Sequence, residues 1–435
     1  MGPLEPPLGR SRDDVVLVHA AETGRGLTPN RGRAAILNGV KPTDPQPPPA
    51  RDSSPVTTNW PAPRAAYIHV PFCAHRCGYC NFTVIAGRED LADRYLEALA
   101  RELEHVGTSR PVETIFVGGG TPTHLGMPHL ARLLQTITRT FALAPGGEFS
   151  VEANPSGLAA DKLRLLAEHG VTRLSLGAQS FDPAKLRVLE RDHSAGDIRR
   201  AIELARRELP SVAVDLIFGV PGESLEVWQR DLRELIRRAP DHVSTYGLTY
   251  ELGTRFWARR RRGDLSSLDE ELERALYEAA LDLLPAAGYE HYEVSNFAQS
   301  GQRCRHNETY WAGNSYWAAG PGAARYVDGR RAVNHQSTTT YLQRVLRGES
   351  PVAQEETLAA EDRAREQLVL GLRRLAGVDR REFQARTGFV LDALAGPKLA
   401  EHVERGLLAD NGKGVRLTRA GLFVSDAIWP DFLRV

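Results

Sequence analysis

The chain has 435 residues, of which 42% are apolar and 25% charged, and its formal net charge is zero. This length is too great for one small core and suits a large α/β domain with an appendage. Because the net charge is zero and no apolar run approaches the ~20 residues of a membrane span, we expect neither a nucleic-acid partner nor a membrane span.

Residues 1–63 differ from the rest of the chain in their proline content. Stretches such as Pro42–Pro49 and Trp60–Pro63 cannot sustain a helix or a strand ladder. The apolar patch Val15–Val18 is too short for the core of a signal peptide. We therefore predict that residues 1–63 are a disordered extension, with an over-long gene start as the alternative.

From Ala65 the sequence alternates between strands and amphipathic helices. Six successive β-then-α units imply a parallel sheet with right-handed crossovers. Glycine and polar residues such as Gly118–Gly120 and Gln179–Ser180 fall where strands end, at the edge that builds the active site in barrels of such units. The predicted strands are Ala66–Val70, Thr114–Val117, Glu148–Ala153, Arg173–Ala178, Val212–Phe218 and His242–Leu248. The amphipathic stretches between them, which predict helices, include Leu91–Val106, Pro128–Phe141, Ala159–His169 and Leu225–Arg237.

The alternation stops after about Leu252. A helix near Asp269–Ala287 and a strand-like segment Tyr289–Phe297 are followed by a mainly helical region. A hairpin over Gly406–Thr418 beside a helix over Ala420–Phe432 is typical of a winged helix. No basic recognition stripe accompanies this wing, so we do not expect it to bind DNA.

Three of the four cysteines, Cys73, Cys77 and Cys80, lie within eight residues on the loop after the first predicted strand. At the spacing Cys-x3-Cys-x2-Cys, each thiolate can ligate one iron of a cubane cluster, which leaves the fourth iron open to a small molecule. Structural zinc normally takes four ligands in two knuckles, and only His75 offers a fourth here, so we favour the cluster. Thiols this close in a large chain indicate a reducing compartment, and we expect the cytoplasm.

This motif, preceded by Tyr67–Phe72 (YIHVPF) and with Tyr79 before its last cysteine, resembles that of radical S-adenosylmethionine (SAM) proteins of the coproporphyrinogen dehydrogenase branch. The resemblance extends from Tyr67 to the C-terminus. It implies an α/β fold, a partial (β/α)6 barrel over 64–300 with a mainly helical, winged-helix-like C-terminal domain over 301–435. It also implies a [4Fe–4S] cluster whose open iron is chelated by the amino and carboxylate groups of SAM.

Further motifs follow in the order that the resemblance requires. In GGGTP, three glycines leave backbone groups bare for a ligand, although a tight strand-to-helix turn would need them too. A cofactor with ammonium, carboxylate and ribose groups needs both acceptors and donors, and such side chains recur after successive strands. Tyr79 suits packing over the adenine, with plain loop packing as the alternative. By resemblance, the contacts to SAM are Tyr67, Gly119, Gly120, Thr121, Glu152, Gln179, Arg191 and Asp215.

Phe82 separates two branches of the resembled family. The porphyrinogen-decarboxylating enzymes carry a fourth cysteine two places after the third, whereas the heme-chaperone branch has an aromatic residue there. In this chain the position is Phe82, after Asn81. We therefore expect no coproporphyrinogen oxidase activity.

The second distinguishing feature is HNxxYW, His306–Trp311, a motif associated with heme binding in the chaperone branch. Imidazole is a good iron ligand, and the Tyr and Trp rings offer flat faces to a porphyrin. His306 is therefore predicted to contact heme, with Cys304 as a second candidate ligand. The alternative is that His306 is an ordinary core histidine.

Three hypotheses remain at this point. The leading one is a chaperone that binds heme and delivers it to apo-hemoproteins, including by transient contact with membrane hemoproteins. The second is oxygen-independent coproporphyrinogen III dehydrogenase, and the third is another radical SAM enzyme acting on tetrapyrroles. Phe82 and the HNxxYW string favour the first.

Overall fold

The computed structural model describes residues 62–433, so nearly all of the predicted extension over 1–63 lies outside the described residues. In chain order the strands are β1 (Ala65–Val70), β2 (Phe72–Cys73), β3 (Ile85–Ala86), β4 (Arg110–Gly119), β5 (Phe141–Ala153), β6 (Arg173–Gln179), β7 (Ser211–Phe218), β8 (His242–Gly247), β9 (Glu290–His291), β10 (Asn296–Ala298), β11 (Trp317–Ala319), β12 (Ala324–Val327), β13 (Arg330–Asn334), β14 (Val352–Thr357), β15 (Val378–Asp379), β16 (Leu408–Asp410) and β17 (Gly414–Leu417).

The helices lie between these strands and around the C-terminal region. The α-helices of the described residues are Ala92–Glu104, Met127–Thr140, Ala160–Glu168, Pro183–Val188, Ala195–Glu208, Leu225–Arg238, Arg255–Arg261, Glu270–Ala286, Arg305–Trp311, Thr338–Leu346, Ala360–Leu372, Arg380–Thr387, Leu391–Glu404, Arg419–Leu422 and Ser425–Ile428. Short 3-10 helices occupy Glu89–Leu91, Pro122–His124 and Trp429–Phe432.

The main sheet has nine strands in the order β11-β1-β4-β5-β6-β7-β8-β10-β9. Its centre, from β1 to β8, is the predicted run of six parallel strands, each joined to the next by a connection that contains helix. The predicted α/β fold with its partial barrel is thereby confirmed. In the register of β1 and β4, Val70 lies opposite Gly119, so the cysteine loop and the glycine turn leave the same edge of the sheet.

Side chains of these strands alternate between two unlike faces, as the two-residue period of a strand requires. One face, with Ile68, Val117 and Val151 among its residues, belongs to the main apolar core under the helices. Each such side chain that is fully buried contributes roughly 1.5–3 kcal/mol. The residues between them, Tyr67 and Glu152 for example, point to the opposite, inner face of the sheet.

Three further strands extend the sheet at its two ends. Beyond β8, β10 and β9 run antiparallel, so the predicted segment Tyr289–Phe297 forms two short strands rather than one. At the other end, β11 runs parallel to β1, with Trp317 opposite Ala66. Residues beyond 300 therefore return to the main sheet, and the boundary placed at residue 300 stays a prediction.

The C-terminal region contains the predicted wing. β16 and β17 are antiparallel, and β15 lies on the other side of β17. The predicted single helix over Ala420–Phe432 is instead three short pieces, and the last of them is a 3-10 turn that contains Pro430, which cannot extend an α-helix. Among residues 62–433, no helix is both long and apolar enough to cross a bilayer.

Candidate functional site

The three clustered cysteines lie on the loop that follows β1, at the carboxyl edge of the parallel strands. Cys73 is held by the pairing of β2 with β3, and the Cys80 N–H donates to the Cys77 carbonyl at 3.2 Å, which turns the loop back on itself. The Thr121 N–H donates to the Phe72 carbonyl at 2.7 Å, so the loop is fixed to the glycine turn after β4. Motif and turn thus share one site.

The thiols of this loop lie close enough to oppose each other's ionisation. Burial raises the pKa of Cys73 to about 11; a hydrogen bond with Thr121 lowers it, and the neighbouring Cys77 raises it. Burial likewise raises the pKa of Cys80 to about 12, and both other cysteines add to the effect. A buried group of mutually repelling thiolates needs a cationic centre, which a thiolate-ligated iron cluster supplies. The residues present therefore fit such a cluster.

A single-ion site is a different arrangement. In the described part of the chain, no three His, Cys, Asp or Glu side chains converge on one metal ion. A cubane cluster does not need this convergence, since each thiolate binds a separate iron. His75, the candidate fourth ligand for zinc, instead has Nε2 at 2.5 Å from the Glu190 carbonyl oxygen and 3.5 Å from Cys77 Sγ.

Arg191 links this loop to the ends of two strands. Its Nη1 donates to Cys77 Sγ at 3.5 Å, and its Nη2 donates to the Gly177 carbonyl at 2.9 Å and to Asn154 Oδ1. Its Nε is buried and has no hydrogen-bond partner among the described residues. A buried N–H without an acceptor is unusual in a folded protein. An anionic group would satisfy this N–H, and contact of Arg191 with SAM, which the resemblance implies, stays a prediction.

The glycine turn packs tightly against the protein rather than leaving its backbone bare. The N–H groups of Gly119 and Gly120 donate to Glu152 Oε2 at 2.9 Å and to the Val70 carbonyl at 2.8 Å. At Gly119 φ is +98°, and a Cβ would lie 2.2 Å from the His69 ring. The tight-turn alternative therefore accounts for the glycines, and contacts of Gly119 and Gly120 with SAM stay a prediction.

The other predicted SAM contacts also lie on the inner face or at its carboxyl edge. Tyr67 Oη is hydrogen-bonded to His69 Nδ1 at 3.0 Å, and Thr121 Oγ1 lies 3.6 Å from Cys73 Sγ. Asp215 Oδ2 accepts from Ser175 Oγ at 3.2 Å. Gln179 ends β6 with φ at +66°, a conformation that costs a non-glycine residue strain and is typical of functional sites.

Tyr79 packs against protein on at least one side. Its ring meets that of Phe256 edge to face at 6.0 Å, and it also contacts an apolar cluster that includes Ile217 and Val220. Burial raises the pKa of Tyr79 well above its ordinary value, so the phenol stays neutral. These contacts are those of the loop-packing alternative, and its packing over adenine stays a prediction.

The HNxxYW motif lies at the opposite end of the strands. The helix Arg305–Trp311 closes the amino ends of the parallel strands, and we call this helix, with Thr114 of β4 and Glu148 of β5, the barrel floor. His306 is 1% exposed. Its Nδ1 is hydrogen-bonded to Thr114 Oγ1 at 2.9 Å and its Nε2 to Tyr310 Oη at 2.8 Å. Burial lowers the pKa of His306 to about 3, so the ring is neutral.

Cys304 belongs to the same closed arrangement. Its Sγ donates to Glu148 Oε1 at 3.6 Å, and the N–H groups of Arg305 and His306 donate to the same carboxylate at 3.0 and 3.3 Å. Burial, and then the Glu148 charge, raise the pKa of Cys304 far above its usual range. Since this thiol already donates to a buried carboxylate, ligation of iron by Cys304 requires that bond to open.

A buried ion cluster behind β6 was missed in the sequence. Lys185 Nζ donates to Glu223 Oε1 at 2.5 Å and to Asp231 Oδ2 at 3.1 Å, and all three residues are buried. Asp231 also accepts from Ser180 Oγ at 2.6 Å, so the cluster fixes the turn that follows Gln179. One feature of the sequence could have indicated the cluster. Lys185 lies in a segment of apolar periodicity, in a chain whose basic residues are nearly all arginine.

Comparison with known proteins agrees with this geometry. The radical SAM superfamily matches residues 67–235, and the HemN C-terminal domain matches residues 358–424. The chain is 35% identical to the heme chaperone HemW of Bacillus subtilis, over 85% of this chain and 99% of that one. It is 38% identical to the heme chaperone HemW of Mycobacterium tuberculosis, over 84% of this chain and 94% of that one.

Among solved structures, the chain is similar to coproporphyrinogen III oxidase (HemN) from Escherichia coli. The TM-score is 0.76, and the match covers 85% of this chain and 90% of that one. At 24% sequence identity, this likeness shows the fold alone. The strand order and the carboxyl-edge position of the cysteine loop are therefore properties of a fold that occurs in a radical SAM enzyme.

Proposed function

Since the chain belongs to the family of heme chaperones called HemW, we propose that it binds heme and delivers it to apo-hemoproteins. The observation that carries this proposal is the similarity itself, at 35–38% identity over nearly the whole length of those relatives. Phe82 supports the same reading, because it occupies the position of the fourth cysteine in the porphyrinogen-decarboxylating branch.

We infer that Cys73, Cys77 and Cys80 hold the [4Fe–4S] cluster. When bound, the cluster supplies one-electron chemistry to SAM at its open iron. The chain's own residues prepare this site: Arg191 donates to Cys77 Sγ and presents a buried Nε to an anion, while Thr121 supports Cys73. Hydrogen bonds to cluster sulfurs are one of the means by which proteins set cluster potentials.

The remaining polar groups suit the rest of SAM. Glu152 supplies a carboxylate for an ammonium group, and it is held in place by the Gly119 N–H. Asp215, within β7, and Gln179, at the end of the neighbouring β6, supply acceptors and a donor. Contacts of these residues with SAM are part of the proposal.

Contact of His306 with heme stays a prediction that carries a condition. Both ring nitrogens are hydrogen-bonded within the barrel floor, so ligation of iron requires the bond to Thr114 or to Tyr310 to open. His306 thus differs from the cysteines of the loop, which lie at the other end of the strands, because both of its ligating atoms are already hydrogen-bonded.

The expected surroundings of the protein follow from the same reading. We propose the cytoplasm as its location, with heme and apo-hemoproteins as partners, including transient contact with membrane hemoproteins, and with no nucleic acid. The three close thiols support a reducing compartment, where cluster ligands stay reduced.

One anaerobically reconstituted sample tests the proposal. Titration with heme should give saturable binding, and mixing with an apo-hemoprotein should move the heme spectrum to that acceptor. The same sample, supplied with SAM, a reductant and coproporphyrinogen III, should release no CO2. Steady release of CO2 with formation of the divinyl product would instead assign the chain to the decarboxylating enzymes.

A further inference from the structure

An arginine-rich surface lies beside the cysteine loop. The helix Arg255–Arg261 and the residue after it carry five arginines in eight residues, with no carboxylate among them. The formal net charge of the chain is zero, so this density of positive charge is local. We call Arg260, Arg261 and the neighbouring Leu252 the arginine surface.

This surface is fixed to the cysteine loop by Phe256. The Phe256 side chain is fully buried, and its N–H donates to the Gly78 carbonyl at 2.9 Å. A Cβ on Gly78 would lie 2.5 Å from the Phe256 ring, so the helix and the loop are in close contact. Gly78 lies between Cys77 and Cys80, and the arginine surface therefore adjoins the site that SAM and the cluster are expected to occupy.

Only part of the positive charge is compensated. Arg255 and Arg259 face Glu190 at 2.5 and 3.8 Å, and Arg262 faces Asp264 at 2.9 Å. Arg260 and Arg261 are exposed, and within residues 62–433 no carboxylate lies within ion-pair distance of either. These two guanidinium groups are available to an external anion.

Stacking holds both free guanidinium groups in place. The Arg260 guanidinium lies over the Tyr250 ring at 4.8 Å, and that of Arg261 lies over Trp257 at 5.0 Å. A guanidinium stacked by its face keeps its edge N–H groups for an acceptor, in the fork geometry that matches a carboxylate. In the turn that precedes this helix, Leu252 is 63% exposed, the largest exposure of a big apolar side chain in the described residues.

Resting on the proposed function, we infer that the arginine surface binds the propionate edge of heme. Heme is a flat apolar molecule with two carboxylates on one edge, and the surface offers two guanidinium groups held over aromatic rings, with an exposed leucine in the preceding turn. Charge-assisted Arg–carboxylate pairs are the stronger hydrogen bonds of proteins. Nucleic acid suits the surface less well, since binding by phosphate contacts needs many cations and the chain as a whole has no net charge.

The test compares two ligands and two variants. The ligands are heme and heme dimethyl ester, in which both propionates are esterified, each titrated by absorbance. The variants are R260Q/R261Q and the matched control R230Q/R233Q, which removes two exposed arginines from the helix Leu225–Arg238. Cluster absorbance and circular dichroism confirm that each variant is folded and loaded.

Wild type should bind heme about tenfold more tightly than the ester at low salt, because two exposed ion pairs contribute about that difference in affinity. The preference for heme over the ester should shrink as salt is added. R260Q/R261Q should bind both ligands alike, whereas the control should keep the wild-type preference. If R260Q/R261Q keeps the full preference, the inference fails and the heme chaperone stands. If wild type binds neither ligand, the proposed function itself fails. Loss of oligonucleotide binding in R260Q/R261Q, with the heme preference intact, would assign the surface to nucleic acid.

Discussion

The two ends of the barrel use the same residue types for opposite purposes. At the carboxyl edge, Cys73, Cys77 and Cys80 are grouped with Arg191, whose Nε has no acceptor among the described residues. At the barrel floor, by contrast, Cys304 and His306 are occupied by Glu148, Thr114 and Tyr310. A cysteine or histidine in a motif therefore indicates a ligand site only where its donor atoms are not already engaged within the protein.

Substitution of the cysteines should give the largest difference between the carboxyl edge and the barrel floor. Changing Cys73, Cys77 or Cys80 singly to Ala should abolish the broad absorbance near ~400 nm of a thiolate-ligated cubane, together with SAM binding. Cys304→Ala should keep both, because this thiol is buried at the floor. Iron content, absorbance and SAM binding by equilibrium dialysis provide the measurement, and loss of the cluster in Cys304→Ala would contradict the separation of the two ends.

The packing of the glycine turn should have the next largest effect. Gly119→Ala places a Cβ against the His69 ring at a positive φ, and should lower the free energy of unfolding by about 3–5 kcal/mol. The matched control is Gly146→Ala, also at positive φ, where nothing lies within 4 Å. The control should cost only about 1 kcal/mol. Equal losses in chemical denaturation would show that the turn can relax, and that its glycines serve a ligand instead.

We expect the free energy of unfolding to fall in acid, because the neutral His306 ring of the barrel floor disfavours protonation. Burial lowers its pKa from 6.5 to about 3, so between these values the unfolded chain binds a proton that the folded chain refuses. This contribution to stability is complete above pH 6.5 and is lost as pH falls, on the order of 2 kcal/mol at pH 5.

His306→Gln retains a hydrogen-bonding amide without titrating, so its free energy of unfolding should fall less between pH 7 and pH 5 than that of wild type. His105→Gln, at an exposed position, is the matched control for the substitution itself. Several other buried histidines titrate in the same range, and the difference between the curves isolates His306. Identical slopes for wild type and His306→Gln would mean that the His306 ring is protonated, or solvated, in the folded state.

The smallest expected effect is that of Tyr310→Phe. The change removes the hydroxyl bonded to His306 Nε2 and should cost about 1 kcal/mol, while the edge-to-face contact with Tyr316 remains. Heme affinity decides between the two readings of His306. A rise would show that freeing Nε2 creates an iron ligand, as predicted, and that the floor is a heme site held shut by Tyr310, whereas an unchanged affinity would leave His306 an ordinary core histidine.

The pattern of the sequence was sufficient for the local features. The six parallel strands and their helices follow from periodicity, and the cysteine loop follows from spacing, since both are encoded within short stretches. The floor is different, because Thr114 and His306 are separated by 192 positions and nothing near His306 indicates its partner. The glycine turn shows the same limit. Its sequence is equally suited to contact with a ligand and to close packing against another part of the chain, and only the position of the His69 ring shows that the glycines are needed for packing.

The pairing of β1 with β11 has a consequence for synthesis. β1 ends at Val70, and its outer neighbour begins only at Trp317, 247 positions later in the chain. At about 5–20 residues per second, that edge waits roughly 12–50 s on the ribosome for its partner. Throughout this interval the nascent protein carries an open strand edge next to its cysteines, a template for wrong pairing. Completion of the main sheet is therefore a late event in the life of each new molecule.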